Sequence, residues 1–238
     1  MFENPEIQSV DCILRLKKLK LPKYQRPYKW SVKNVTALLD DIEFAINQAT
    51  KHSDFKYRVG TLILHNDEEH DILNIVDGQQ RIITLALIRK VLDRTSEAPI
   101  LKTPITSKIS EENIKRNFLT IKQHFAHLDA DAKQSYLNAM VDVLGFVVVS
   151  TNDLAEAFQL FDSQNTRGRA LAPHDLLKAF HLREMRNHPN EMKHTVEKWE
   201  RTNPKDIHIL FQDYLYPIKC WVEREKGHKF TPSCPATR

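Results

Sequence analysis

Glycine is scarce in this chain: five in 238 residues, Gly60, Gly78, Gly145, Gly168 and Gly227, each far from the next. No Walker loop and no dinucleotide fingerprint can be assembled from them, so any phosphate site has to use a single-glycine turn and arginines. Cysteine is scarcer still. Cys12, Cys220 and Cys234 are odd in number and widely separated, which argues against a disulfide framework or a CxxC metal knuckle and reads as free thiols. GxSxG, HExxH and paired Cys/His nuclease patterns are missing. No apolar run reaches the length of a membrane span, and MFENPEIQSVDC lacks the basic-then-apolar order of a signal peptide, so no membrane partner and a cytoplasmic setting are expected.

Acidic residues are absent between Asp11 and Asp40, although the net charge is only +4. Arg15, Lys17, Lys18, Lys20, Lys23, Arg26, Lys29 and Lys33 accumulate there, interleaved with Tyr24, Tyr28 and Trp30. Basic groups among aromatics suit phosphate backbones and bases, which makes Lys17, Lys18, Lys20, Lys23, Tyr28, Lys29 and Trp30 candidates for DNA contact. A solvated charged face is the plainer reading of the same run.

What is present in quantity is ordinary: 41% hydrophobic and 28% charged residues describe a globular protein of one large domain or two small ones. The most informative stretch is NIVDGQQRIITLALIRKVL, Asn74 to Leu92. An apolar run meets a turn at Asp77-Gly78, and a densely apolar helix starts near Gln79. Gly78 permits backbone angles closed to other residues, and a helix start points free N–H groups at whatever lies ahead of it. With Arg81 one turn in, the site favours an anion. Thr84 either bonds a backbone carbonyl or faces the same pocket. The pattern alone leaves open a simple strand terminator followed by solvated polar residues.

Around this stretch, Arg15 to Leu21 alternates like an edge strand closed by Pro22. Pro27 disfavours helix at Arg26, so Gln25 and Arg26 are expected in an extended segment. Ser31 reads as the N-cap of a helix to about Gln48, its apolar stripe formed by Val35, Leu38, Leu39, Ile42 and Ile46, with Asp40 and Asp41 read as exposed. Tyr57 to His65 and His70 to Val76 form a hairpin into Asp77, and His65, His70 and Asp71 lack diagnostic metal spacing. Thr95 to Ser110 reads as a linker or loop. Beyond it lie two helical stripes, from Ile114 to Leu128 and from Tyr136 to Leu144, then a buried strand, Phe146 to Val149, expected to return to the sheet. Leu154 to Phe161 is helical. Asn165-Thr166-Arg167-Gly168 interrupts the pattern, as an ordinary loop or as a second anion or sugar contact. Amphipathic helices follow, the last with Ile207, Leu210, Phe211, Tyr214, Ile218, Trp221 and Val222 as its core stripe and Pro217 as a kink.

Three segments together, YQRPYKW (Tyr24 to Trp30), IVDGQQRIITL (Ile75 to Leu85) and FDSQNTRGRALAPHDLLKAF (Phe161 to Phe180), resemble the DUF262 family, the N-terminal domain of GmrSD-type modification-dependent restriction systems. The resemblance spans about residues 10 to 185. It implies an α+β fold, a small ParB/sulfiredoxin-like mixed-sheet lobe packed with a larger helical lobe, expected here over residues 1–95 and 111–238 with 96–110 between them. It also implies binding and hydrolysis of a nucleoside triphosphate, of whichever base, with Mg2+ or another divalent cation. Carried over by position, Asp77, Gly78, Gln79, Gln80 and Arg81 fall in the nucleotide motif, Gln25 and Arg26 in the N-terminal one, and Asn165, Arg167, Gly168, Asp175 and Lys178 in the third.

In this reading Arg81 and the amides after Gly78 hold phosphates and Asp77 positions the metal or an attacking water. Gln79 or Gln80 orients that water, and Arg26 or Arg167 supplies transition-state charge. The family pattern has Leu-Thr after DGQQR where this chain has Ile82-Ile83, leaving Thr84 as the hydroxyl there. The expected partners are DNA, modified or not, and an HNH-type nuclease. No such nuclease pattern occurs before Arg238, so it is expected in a separate subunit, in a longer chain of which this is a fragment, or nowhere. A homodimer is compatible with all of this. The alternative is a nucleotide-gated DNA-binding module without turnover, and a third reading is a protein-interaction scaffold that uses neither ligand.

Overall fold

A computed structural model describes residues 5–22, 25, 27–93, 95, 98–104, 107–165, 185, 188, 191, 194–195, 198–199 and 202–222. The chain forms two compact units, Met1–Pro22 with Arg26–Asn152, and Lys23–Gln25 with Asp153–Arg238. The fold is α+β, as expected, built on a mixed sheet.

In the first unit, β1 (Glu6–Ser9) leads into α1 (Val10–Arg15), capped by the Ser9 hydroxyl, which accepts from the Cys12 N–H. A two-residue strand, β2 (Leu19–Lys20), precedes α2 (Val32–Lys51), β3 (Tyr57–Asp67), β4 (Ile72–Asp77) and α3 (Gln79–Leu92). A 3-10 turn at Pro99–Lys102, α4 (Lys108–Ala126), α5 (Ala130–Asp142) and β5 (Leu144–Thr151) complete it. The strand order is β1-β5-β3-β4-β2. β5 runs parallel to β3 and antiparallel to β1, and β4 pairs antiparallel with β3 and parallel with β2. The strand expected from Phe146 to Val149 thus does return to the sheet, next to its centre, where β-branched residues pack well.

One sheet face carries Leu62 and Leu64 of β3 and Phe146 and Val148 of β5, all in the main core. The stripe of α2 joins that core through Val35, Leu38, Leu39 and Ile42, and Asp40 and Asp41 are exposed. Asn34 anchors the start of α2, its Oδ1 accepting from the Ser31 N–H at 3.0 Å. α3 is buried on nearly every side, from Ile82 through Arg89. A helix of that kind is fixed in place, and so is the turn ahead of it.

Three expectations are corrected. Arg15 to Leu21 is not one strand. Residues Val10–Arg15 are helical, and only Leu19–Lys20 pair with β4, because Ser9 supplies a helix cap just upstream. The unit boundary falls at 152/153 rather than near 96–110, and α4 and α5 belong with the sheet because Ile121, Phe125, Tyr136 and Met140 enter its core.

In the second unit, α6 (Leu154–Asn165) and α7 (Pro204–Ile209) are followed by a π-helical segment, Leu210–Leu215, and α8 (Tyr216–Val222). Here the expected core stripe is largely outward: Ile207 is buried, but Leu210, Tyr214, Ile218, Trp221 and Val222 are exposed. Pro217 has no N–H to give back along the helix, and the widened π turn ahead of it breaks the α-helical period on which the stripe depends. Among the described residues no helix is long and apolar enough to cross a membrane. Of the cysteines described, Cys12 is exposed and Cys220 buried, both as free thiols.

Burial holds the hydroxyls of Tyr28, Tyr57 and Tyr136 above the ordinary tyrosine range, and Glu43 adds to this at Tyr136, whose hydroxyl donates to Glu43 Oε1 at 2.7 Å. A raised folded-state value means that stability is intact below the unfolded tyrosine value, about 10, and is lost as pH rises beyond it. Tyr136→Phe removes one such group. The fall of unfolding free energy above that pH should become shallower by up to about 1.4 kcal/mol per pH unit, measured by urea titration across the alkaline range.

Candidate functional site

The turn between β4 and α3 is built from the sheet outward. Asp77 ends β4 opposite Ile63 of β3 and is half-buried. Gly78 follows at φ 96° and ψ −1°, a left-handed conformation, and caps α3 without a side chain. A Cβ there would stand 2.9 Å from Leu62 Cδ1 and 3.4 Å from the Thr61 carbonyl. Glycine is therefore required twice, by backbone angle and by contact. The first turn of α3 holds no acidic residue and no capping side chain, and its first intrahelical bond runs from the Ile82 N–H to the Gly78 carbonyl. The amides of Gln79, Gln80 and Arg81 come before it, with no acceptor inside the helix.

Arg81 folds back over β3. Its Nη1 and Cζ lie 2.9 and 3.0 Å from where a Cβ on Gly60 would stand, so Gly60 is a cradle for the guanidinium. Gly60 has φ +150° and sits at a register shift in the β3–β5 pairing. The sequence signal for it was a glycine inside an otherwise apolar strand, which marks a bulge or a close approach. Gln79 is buried, and its Oε1 has no hydrogen-bond partner among the described residues.

Gln80 points elsewhere. Its Oε1 accepts from the backbone N–H groups of Lys29 at 2.8 Å and Trp30 at 3.1 Å, and its Nε2 donates to the Pro27 carbonyl at 3.2 Å. The carboxamide is thus a clamp on the Pro27–Trp30 arm. Thr84 is fully buried and its hydroxyl donates to the Gln80 carbonyl at 2.8 Å. With that hydrogen committed, the Tyr28 hydroxyl is the donor in the 2.8 Å bond to Thr84 Oγ1. Tyr28 Oη in turn accepts from Asn117 Nδ2 at 2.9 Å.

α4 grips the arm from its other side. The Tyr28 N–H donates to Ser110 Oγ, Asn113 Nδ2 donates to the Tyr28 carbonyl, and Asn117 Nδ2 also donates to the Trp30 carbonyl, at 2.9, 3.0 and 2.8 Å. Sequence reasoning missed these three residues. Their signal is a polar stripe at helical spacing beside the apolar one of α4.

Two sequence expectations change here. Tyr28 is fully buried and presents no face for base stacking, because its ring fills the core and both its backbone groups and its hydroxyl are bonded inside. Thr84 is likewise structural, the backbone-bonded alternative. Lys17, Lys18, Lys20 and Lys29 are exposed, with Lys18 Nζ 3.8 Å from Asp71, and Trp30 packs against the core partly buried. Gln25 belongs to the second unit, and Asn165 closes α6. Lys23, Arg26, Arg167, Gly168, Asp175 and Lys178 lie outside the described residues. The structure thus joins the Asp77–Arg81 segment to the Pro27–Trp30 arm through Gln80.

Among the described residues no group of three or more His, Cys, Asp and Glu is placed to hold a metal ion. Comparison with known families matches residues 8–182 to the GmrSD restriction endonuclease N-terminal domain. Residues 191–234 match a family of unknown function. No curated protein matches the chain.

Proposed function

Because this chain belongs to the GmrSD restriction endonuclease N-terminal domain family, and so is a component of a restriction system, we propose that it is the nucleotide-binding regulatory part of that system. The turn at Gly78 holds the phosphates. The observation that carries this reading is the start of α3: without a capping side chain, without an acid in its first turn, and with the Arg81 guanidinium laid across Gly60 beside it. Free helix amides and a fixed arginine are the donor set that a phosphate group takes, and charge-assisted bonds are the stronger class.

Asp77, at the mouth of the turn, suits a divalent ion that arrives with the phosphates, since Mg2+ is commonly held by one or two carboxylates plus substrate oxygens. Such an ion would neutralise phosphate charge there. With Gln80 committed to the arm, the role of orienting water passes to Gln79, whose buried Oε1 lacks a partner. Arg26, Arg167 and the third motif complete the proposed nucleotide set by family position. Lys17, Lys18, Lys20 and Lys29 form the DNA-facing set by exposure. The nuclease that cuts would be an HNH-type domain or subunit acting with this one.

Arg81→Ala tests the phosphate site. Losing a charged hydrogen-bonding partner should weaken NTP binding by about 10- to 150-fold, from roughly 1.5–3 kcal/mol. Calorimetric titration of both proteins measures it, and equal affinities would remove the phosphate site from this turn. Phosphate release with and without DNA separates hydrolysis from the alternative, a nucleotide-gated module. Release by wild type that Asp77→Ala abolishes while still binding NTP supports the first.

A further inference from the structure

Gln80 meets two structures at once. Its backbone N–H is one of the amides at the start of α3, so in the proposed phosphate site it faces the anion. Its carboxamide makes three bonds to the backbone of Pro27, Lys29 and Trp30, and its carbonyl takes the Thr84 hydroxyl, which accepts from Tyr28. Every polar group of this residue except its backbone amide therefore has an acceptor or donor that is part of the arm or leads to it. Of the other supports of the arm, Thr84 comes from α3, one turn beyond Gln80, and Ser110, Asn113 and Asn117 come from α4. The arm is held between the two helices, and α3 alone carries the anion site.

A phosphate that stiffens or shifts the first turn of α3 acts on the Lys29 and Trp30 amides most directly through this side chain, whose Oε1 accepts from both. We infer that Gln80 is a positioning residue that carries occupancy of the phosphate site to the Pro27–Trp30 arm and its exposed Lys29. This rests on the phosphate-site reading above. It assigns the second glutamine of the motif to coupling rather than to water, and it makes the presentation of the basic arm to a polyanion dependent on nucleotide. Coupling between sites needs a physical element that both bias, and Gln80 with its three bonds is that element.

Hydrogen exchange of the Lys29 and Trp30 amides reads these bonds directly. At an NTP concentration that saturates the calorimetric signal, exchange of these two amides in wild type should slow by about tenfold or more, as local opening is suppressed. The slowing has to exceed that of the α5 amides, because any ligand of the native state slows exchange through global unfolding. Gln80→Met keeps the backbone amide and the side-chain length but removes the clamp, and its arm amides should not respond at saturation. Gln80→Glu keeps an oxygen acceptor for both amides and should retain the response, at a weaker affinity from its added charge. Calorimetric binding by wild type with arm exchange that slows no more than α5 overturns the coupling alone. A Gln80→Met variant that responds like wild type does the same. No binding by wild type at all overturns both the coupling and the phosphate site.

Discussion

Gly78→Val should lower the free energy of unfolding by about 2–5 kcal/mol, the sum of a left-handed backbone forced on a side chain, about 1–2 kcal/mol, and overpacking, about 1–3 kcal/mol. The backbone cost follows from φ 96°, where a β-branched residue is a genuine outlier. The packing cost follows from Leu62 Cδ1, 2.9 Å from the position of the new Cβ, in a side chain that is itself fully buried. Leu62 cannot swing into solvent to relieve the contact. Urea unfolding with an unchanged denaturant slope would give the loss directly.

The two costs can be separated with Gly78→Ala. Leu62→Ala removes the clashing atom, so the double variant should be less destabilised than the two single changes added together, by about 1 kcal/mol or more. Simple additivity would mean that Leu62 does not limit this site and that the glycine serves its backbone angle alone. If the proposed phosphate site lies at this turn, Gly78 variants that still fold should show reduced NTP affinity alongside the lower stability.

Much of this turn was legible before the structure. The apolar run of β4, an isolated glycine after an aspartate, and an apolar helix are three local signals that agree, and agreement across levels is what specifies a local fold. α2 was legible for the same reason, from Ser31 at its start and a stripe of four buried residues. The roles of the two glutamines were not legible. Gln79 and Gln80 are adjacent and chemically identical, but on a helix neighbours face about 100° apart, so one turns into the interior and the other meets the arm. Which is which depends on where residues 27–30 run, about fifty positions away in sequence.

Tyr28 was hidden by its neighbours. Lysines and Trp30 on either side made it look like part of an exposed basic arm, whereas alternation in an extended segment turns it inward. The unit boundary was equally out of reach. The stripes of α4 and α5 show that each buries a face, but nothing in an amphipathic period says against what. The Ser, Thr, Pro and Lys of residues 95–110 mark a connection and not a division of the fold.

Asp11 carries the other large effect, on the opposite end of α3. Its carboxylate pairs with the guanidinium of Arg89, whose side chain is only 6% exposed, and it also accepts from Arg15 Nε at 2.6 Å. Arg15 is 64% exposed and its bond is worth little, about 0.2–1 kcal/mol, since water and salt screen it. Arg89 is different. Removing Asp11 leaves a buried guanidinium without that carboxylate, and breaking a buried pair from one side typically costs about 3–5 kcal/mol. Asp11→Ala should therefore approach that loss in urea unfolding, while Arg15→Ala should stay below about 1 kcal/mol.

The direction of the asymmetry is the sharper test. Arg89→Met takes away the buried charge and fills much of its volume, and the Asp11 it leaves behind is more exposed and keeps Arg15. It should cost clearly less than Asp11→Ala. On the same argument, adding Arg89→Met to Asp11→Ala should recover part of the lost stability, because a well-packed apolar side chain is tolerated better than a buried charge that has lost a carboxylate. A double variant less stable than Asp11→Ala would mean that Arg89 contributes through its packing along α3 and not through the charge that Asp11 answers.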